Sequence, residues 1–480
     1  MQTLDKPAAP ALAAFVAGLR FSDLPEAAVE AARRHLLDIL GVAIRGRAHE
    51  NASNALAGVR ALDGSAGSVA VWGSGVTLAA PYAALANGIA SHVLDYDDTH
   101  TDAIVHGSAI VAPVVMALAE PRDAPGEEIV AAFVAGWEVA ARVGLASAGT
   151  FHQRGFHTTS IAGIFGAAAA AARLLRLDAA RTTHAMGLAG SMASGINEYL
   201  SNGSSAKSMH TGWSAHSGIV AACLAAAGMT GPESVFEGRD GLLRAYGERD
   251  GARLAAFTEA LGTRWEVTRV SVKPYPCCHF AHAFIDCAGA LLAGGVRADE
   301  IERIECVVPA LEQPLICDPI AEKMRPRTPY AAKFSLPFLV AARIADGSIG
   351  HRTFGEASLA RDDVLRLAAK VSYRTARPGE MPFPRTFPGL LEATLSGGRR
   401  IVQRLDVNRG HPDNPLAFDE VASKFRDNAS ATLGEARTGE VIRLVTALPR
   451  SSAAELARAL APESPSTARA GPQAARATLP

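Results

Sequence analysis

Cysteine is scarce. Six thiols (Cys223, Cys277, Cys278, Cys287, Cys306 and Cys317) are spread over 480 residues, too few for a disulfide scaffold in so long a chain. Excess charge is missing too. A net charge of −1 and a pI near 6.9 create no global field for nucleic acid or an anionic membrane, so any anion must be held by a local cluster. Long hydrophobic runs are lacking as well. The run "IAGIFGAAAAAA" stops at Arg173, short of the roughly 20 residues of a membrane span. The opening "MQTLDKPAAPALAAF" has no basic stretch followed by a long apolar one, so no signal peptide is expected. Neither a GxGxxG loop nor a P-loop is present, and no cofactor is implied. These absences predict a cytoplasmic protein with reduced thiols and neither nucleic acid nor membrane as partner.

What is present is helical material. Hydrophobic residues make up 49% of the chain and charged residues 20%, a globular composition. Alanine, the strongest helix former, is abundant. The length suggests two or three domains. Apolar spacing predicts helices over about 24–45, 79–92, 108–120, 127–147, 160–176, 179–194 and 213–228. Near residue 268 the texture changes. "WEVTRVSVKPYPCC" brings β-branched residues and prolines that disfavour helix. Strands are expected at 303–310, 370–376 and 391–407, the last a hairpin turning at Gly397-Gly398. A helix over 329–347 is expected beside them. The fold class predicted is mainly α: a large helical domain (1–268 plus 410–460) with a smaller α+β lid domain inserted (269–409). The Ala/Pro/Ser-rich end, 461–480, reads as a disordered tail.

Titratable chemistry is concentrated in "HVLDYDDTHTDAIVHGS" (92–108), with four aspartates and three histidines between two apolar helical stretches. A plain solvated loop fits poorly, because no lysine or arginine balances the acids. Asp95-x-Asp97 resembles the start of an EF-hand loop, but His100 and His106 stand where that loop needs glycine and glutamate. Asp97-Asp98-x-x-x-Asp102 is similar to a diphosphate–magnesium motif, but no second such motif is evident, and aromatics, at 6%, are too few for a carbocation pocket. An acid–base site fits best. His106 precedes a helix start, where the macrodipole favours neutral imidazole, and nearby aspartates can fix its tautomer. "GFHTTSIAGIFG" repeats the arrangement, with His157 ahead of a helix capped by Thr159 or Ser160. "NGSSAKSMHTG" places Lys207 and His210 in a loop before the next helix. "VKPYPCCHFAHAFID" supplies Lys273, Cys277, Cys278, His279 and His282. A zinc or thiol centre at Cys277/Cys278 stays open, although vicinal cysteines lack the usual ligand spacing.

The stretches "LLDILGVAIRG", "AALANGIASHVLDYDDTH", "GFHTTSIAGIFGAAAAAARLL", "AKSMHTGWSAHSG", "KPYPCCHFAHAFID" and "HPDNPLAFDEVASKF" together resemble the MmgE/PrpD family, to about residue 430. That family includes 2-methylcitrate dehydratase, cis-aconitate decarboxylase and iminodisuccinate epimerase. The resemblance implies a helical domain with an α+β lid, a homodimer, and a pocket between the domains for a small polycarboxylate. It implies His106 and His157 as base and acid, in an order left open, and Asp95 orienting an imidazole. Thr99 would bind a substrate oxygen. Lys207 and Lys273 would clamp carboxylates with Arg154 or Arg325 and Arg327, and Cys278, His279 and His282 would complete the site. No metal is implied. Phe338 and Cys278 stand where the decarboxylase branch carries tyrosine and histidine. Dehydration of a 2-methylcitrate-like hydroxy acid is therefore the expected reaction, with decarboxylation or epimerisation as alternatives. A non-catalytic carboxylate-binding protein is the alternative of another class.

Overall fold

Small residues let the helices of this chain approach backbone to backbone. The computed structural model describes residues 7–64, 67–248, 252–383 and 385–462. It divides into two compact units, Met1–Ser271 with Ala417–Pro480, and Val272–Leu416. The expected tail lies outside the described residues from 463 onward.

The first unit is helical. Its principal helices are α1 (Glu26–Arg47), α2 (Ala80–His92), α3 (Ser108–Ala119), α4 (Gly126–Ala146), α5 (Thr158–Leu174), α6 (Ala179–Met192) and α7 (Ala206–Ala226). After the second unit the chain returns as a further helix, Phe418–Leu433, which packs on α1. A small antiparallel ladder, β1 (Val69–Ala70) with β2 (Thr77–Leu78), precedes α2. The apolar helix α4 is long enough and apolar enough to cross a membrane, a longer run than the one singled out from sequence. Its apolar window is wholly buried inside the protein, as in a core helix that is hydrophobic all round.

Helices α2 and α7 cross where Gly88 meets Gly212. A Cβ on Gly88 would lie 2.7 Å from the Gly212 Cα. This crossing explains why α7 begins at Ala206, seven residues before the predicted start at 213. The Gly/Ser-rich stretch reads as a loop, but its glycine serves helix contact, and the Thr211 hydroxyl donates to the Gly88 carbonyl at 2.8 Å. Lys207 and His210 are therefore on the first turns of a helix. The start of α5 also differs from expectation. His157 is the N-cap residue, while Ser160 Oγ pairs with Ser214 Oγ at 3.2 Å and Thr159 Oγ1 accepts from the His106 N–H at 3.2 Å.

The second unit is α+β. A four-stranded sheet has the order β4 (Val371–Thr375), β3 (Ile301–Val308), β5 (Gly389–Leu395), β6 (Arg400–Leu405). β3 pairs with β4 in parallel and with β5 antiparallel, and β5–β6 is the hairpin turning at Gly397-Gly398. Helix α8 (His282–Ala293) packs on β5 and β6, and α9 (Leu336–Asp346) packs on α8. The single helix expected over 329–347 is interrupted. Ser335 caps a new start by accepting the Phe338 N–H at 3.1 Å, so Pro337 falls in a first turn, where its missing N–H costs little. Phe338 is fully buried in this unit's core.

Candidate active site

The ends of four helices of the first unit gather the titratable groups. α2 ends at His92, α3 begins after His106, α5 begins after His157, and α7 presents Lys207 and His210 one turn apart. The aspartate-rich segment links α2 to α3. Asp95 adopts a left-handed backbone at φ +54°, uncommon for a residue other than glycine. Its carboxylate accepts from Lys207 Nζ at 2.8 Å. Two residues on, the buried Asp97 lies 2.7 Å from His92 Nδ1 and 3.5 Å from His106 Nδ1.

Asp98 works on the other side. Its carboxylate accepts from Ser108 Oγ at 2.5 Å and lies 3.1 Å from His35 Nδ1. Trp137 Nε1 donates to the same Ser108 hydroxyl at 3.0 Å. The Asp98 backbone carbonyl meets His106 Nδ1 at 2.8 Å. A carbonyl can only accept, so His106 Nδ1 carries the proton and neutral His106 keeps its lone pair on Nε2. Thr99 Oγ1 is 3.1 Å from the same Nδ1, and the Thr99 backbone exchanges hydrogen bonds with Ser271 at 2.9 and 2.8 Å.

His157 is buried among aromatic rings. It stacks on His92 with centroids 5.6 Å apart, and His92 in turn faces His106 at 5.0 Å. Tyr199 lies edge-on to both His157 and His210. His157 Nδ1 and His210 Nδ1 are 3.0 Å apart. Burial, then the neighbouring His92, Lys207, His210 and His106, hold the His157 imidazole well below its ordinary pKa. Burial, His92 and Lys207 lower His210 to about 4. Both rings are therefore neutral near pH 7. Burial alone would depress the Lys207 ammonium, but Asp95, Tyr199 and Asp97 outweigh it and hold it above the ordinary lysine range. The result is a fixed cation with one carboxylate partner beside neutral imidazoles, a combination suited to binding an anion and moving a proton.

Two positions behave differently from expectation. Asp95 orients Lys207 rather than an imidazole, and Asp97 takes the imidazole contact. Arg154 is exposed and donates to the Gly247 carbonyl at 3.0 Å, a loop tie. Two residues of the cluster, His92 and Tyr199, were not singled out from sequence, Asp97 was weighed there only as part of metal motifs, and His210 was noted without a role. His210 had a legible signal, since it lies three residues after Lys207 and so on its helix face. Among the described residues, His92, Asp97 and His106 offer ligand atoms within 4.8 Å of one another, close enough to share a cation, though Asp97 and the Asp98 carbonyl already engage the two Nδ1 atoms.

The remaining predicted residues belong to the second unit. Lys273 is buried. Cys277 and Cys278 are buried free thiols, and no group of three metal-ligating side chains among the described residues includes them. His282 Nε2 faces the Cys277 carbonyl at 3.2 Å. His279 Nε2 accepts from Asn408 Nδ2 at 3.0 Å, and the two imidazoles are 4.9 Å apart. Arg325 is exposed just after the short helix Ile320–Met324.

The first unit thus gathers neutral imidazoles around a carboxylate-paired lysine. The chain belongs to the MmgE/PrpD family: residues 10–255 match the MmgE/PrpD N-terminal domain and residues 275–448 the MmgE/PrpD C-terminal domain. It is 28% identical to the cis-aconitate decarboxylase of Homo sapiens over 443 residues, covering 89% of each chain. It is 28% identical to that of Mus musculus over 452 residues, covering 91% of this chain and 89% of the relative. Identity to the cis-aconitate decarboxylase of Aspergillus terreus is 24% over 403 residues, covering 80% of this chain and 81% of the relative.

Proposed function

We propose that this protein is a cofactor-independent lyase that decarboxylates a small, unsaturated tricarboxylic acid of the cis-aconitate type. The relatives named cis-aconitate decarboxylase favour this reaction over the dehydration that the motifs alone put first. Phe338 carries little weight against it, because that side chain is core in its own unit. The observation that carries the reading is the Asp95–Lys207 pair set beside neutral His157 and His210.

Decarboxylation of such an acid breaks one C–C bond. Carbon dioxide leaves, the freed electron pair moves through the neighbouring double bond, and a proton adds to the far carbon. Negative charge builds beside a remaining carboxylate during this shift. Lys207 holds that carboxylate and absorbs the charge, a cation preorganised by Asp95. An imidazole supplies the proton, and positioned proton transfer contributes about 10²–10⁴-fold. His157 delivers that proton and regains one from solvent, and His106, with its lone pair on Nε2, is placed to accept a hydrogen bond.

The test is product analysis by NMR in deuterated water with cis-aconitate as substrate. The expected result is loss of substrate with release of carbon dioxide and one deuterium in the product. Addition of water, or deuterium exchange without loss of carbon dioxide, would replace this reaction with dehydratase or epimerase chemistry. Thermal stabilisation by the acid without any turnover would leave a binding protein.

A further inference from the structure

His210 carries no role in the scheme above, yet its ring meets that of His157 nitrogen to nitrogen. Its ring is 4% exposed and its Nδ1 is 3.0 Å from His157 Nδ1. Two neutral imidazoles meeting nitrogen to nitrogen must divide one proton: one Nδ1 donates and the other accepts. Which one donates decides the chemistry of the far nitrogen of each ring. The surroundings hold this pair in place. The His157 backbone N–H donates to the Gly195 carbonyl at 3.0 Å. Gly195 sits at φ +117°, and a Cβ there would lie 2.8 Å from the Ser160 side chain and 3.3 Å from the His210 ring. Only glycine lets this loop press against both histidine-bearing helices.

We propose that His210 is the positioning residue that makes His157 an acid: its Nδ1–H donates to His157 Nδ1, forcing the His157 proton onto Nε2. This rests on the acid–base reading above. His106 is held in the opposite tautomer by the Asp98 carbonyl. The two imidazoles then differ in role, His106 with a lone pair and His157 with a proton at Nε2. With both rings in the same tautomer the site would hold two bases and no acid. When His157 gives up its Nε2 proton, the proton on His210 can shift across the 3.0 Å contact; the pair, then one proton short and singly negative, returns to neutrality when solvent supplies a proton.

The test uses the full chain labelled with ¹⁵N at histidine, without substrate, together with His210→Asn and His210→Phe. Asparagine keeps an N–H donor, while phenylalanine keeps the ring shape and has none. NMR of the parent is expected to show His157 protonated at Nε2 and bare at Nδ1. His210→Asn keeps that state and His210→Phe loses it. For turnover of cis-aconitate, His210→Phe lowers kcat by about 10-fold or more with KM within about threefold, and His210→Asn recovers most of the loss. Parent His157 carrying its proton on Nδ1 would overturn the proposal, as would an equal fall in kcat for the two folded variants. If the parent turns over no polycarboxylate, the function reading fails and the NMR result still decides the tautomer.

Discussion

Lys207 shows how one charge is made useful. Its ammonium is held 2.8 Å from Asp95, and Asp95 reaches it through a left-handed backbone turn. Replacing Asp95 with Asn keeps the shape and removes the counter-charge. The expected outcome is a fall of about 100-fold in kcat/KM for the true substrate, measured by steady-state kinetics; a change under about threefold would contradict the pairing's role. His106 and His157 were legible as histidines ahead of helix starts, Lys207 and Asp95 took their roles from the family resemblance, and the first unit brings Lys207 to Asp95 and the imidazoles to one another. The division of labour among the aspartates was not. Asp95, Asp97 and Asp98 are near neighbours in sequence, but the turn at Asp95 sends their carboxylates to Lys207, to His92 and to Ser108. Spacing along the chain cannot show that, because one residue with positive φ redirects everything after it. His92 was hidden for another reason: it closes an apolar helix, where a histidine is ordinarily part of the core.

At the scale of elements, the site depends on how closely helices approach. A Cβ on Gly212 would sit 2.3 Å from the Leu85 carbonyl oxygen, which is backbone and cannot swing aside. Gly212→Ala is expected to lower stability by about 1–3 kcal/mol, read as a lower urea midpoint; a midpoint equal to the parent's would remove the crossing from the account. A second tie comes from the helix Phe418–Leu433. Lys424 Nζ is 2.6 Å from the Asp38 carboxylate on α1, donates to the Tyr96 carbonyl at 3.1 Å and lies 3.7 Å from the centre of the Tyr96 ring. It thus holds the aspartate-rich segment from behind. Lys424→Met leaves Asp38 buried without its cation, which costs about 3–5 kcal/mol, and adding Asp38→Asn recovers part of that loss in a denaturation midpoint. No recovery would mean the pair is not coupled. The helices themselves were read from periodicity with ends off by up to seven residues at α7. The error came from treating a Gly/Ser-rich stretch as a loop, when a helix crossing needed the small residues.

For the whole molecule, pH reports the buried imidazoles. His157 and His210 are neutral in the native state, His210 down to about pH 4, whereas unfolded histidines take up protons below about 6.5. The unfolded state then binds more protons, so stability falls as pH drops from about 6.5 towards 4. His210→Phe should flatten that fall in a series of denaturation curves; an unchanged slope would mean the ring is not buried as described. Asp38 opposes the trend, since burial, only partly offset by Lys424, raises its carboxyl to about 6, and its contribution is lost as pH rises through that value. The change of texture near residue 268 was visible because proline and β-branched residues replace alanine there, and the second compact unit begins at Val272. Chelation gives another whole-molecule check. Turnover after treatment with EDTA should match that of the untreated protein; loss restored by a divalent cation would put a metal at His92, Asp97 and His106.

The most direct measurement is turnover of cis-aconitate by His157→Ala and Lys207→Ala, each shown to be folded by its circular dichroism. An anion-binding acid–base cluster predicts that each loses about 100-fold or more. Rates within about threefold of the parent for both would contradict it.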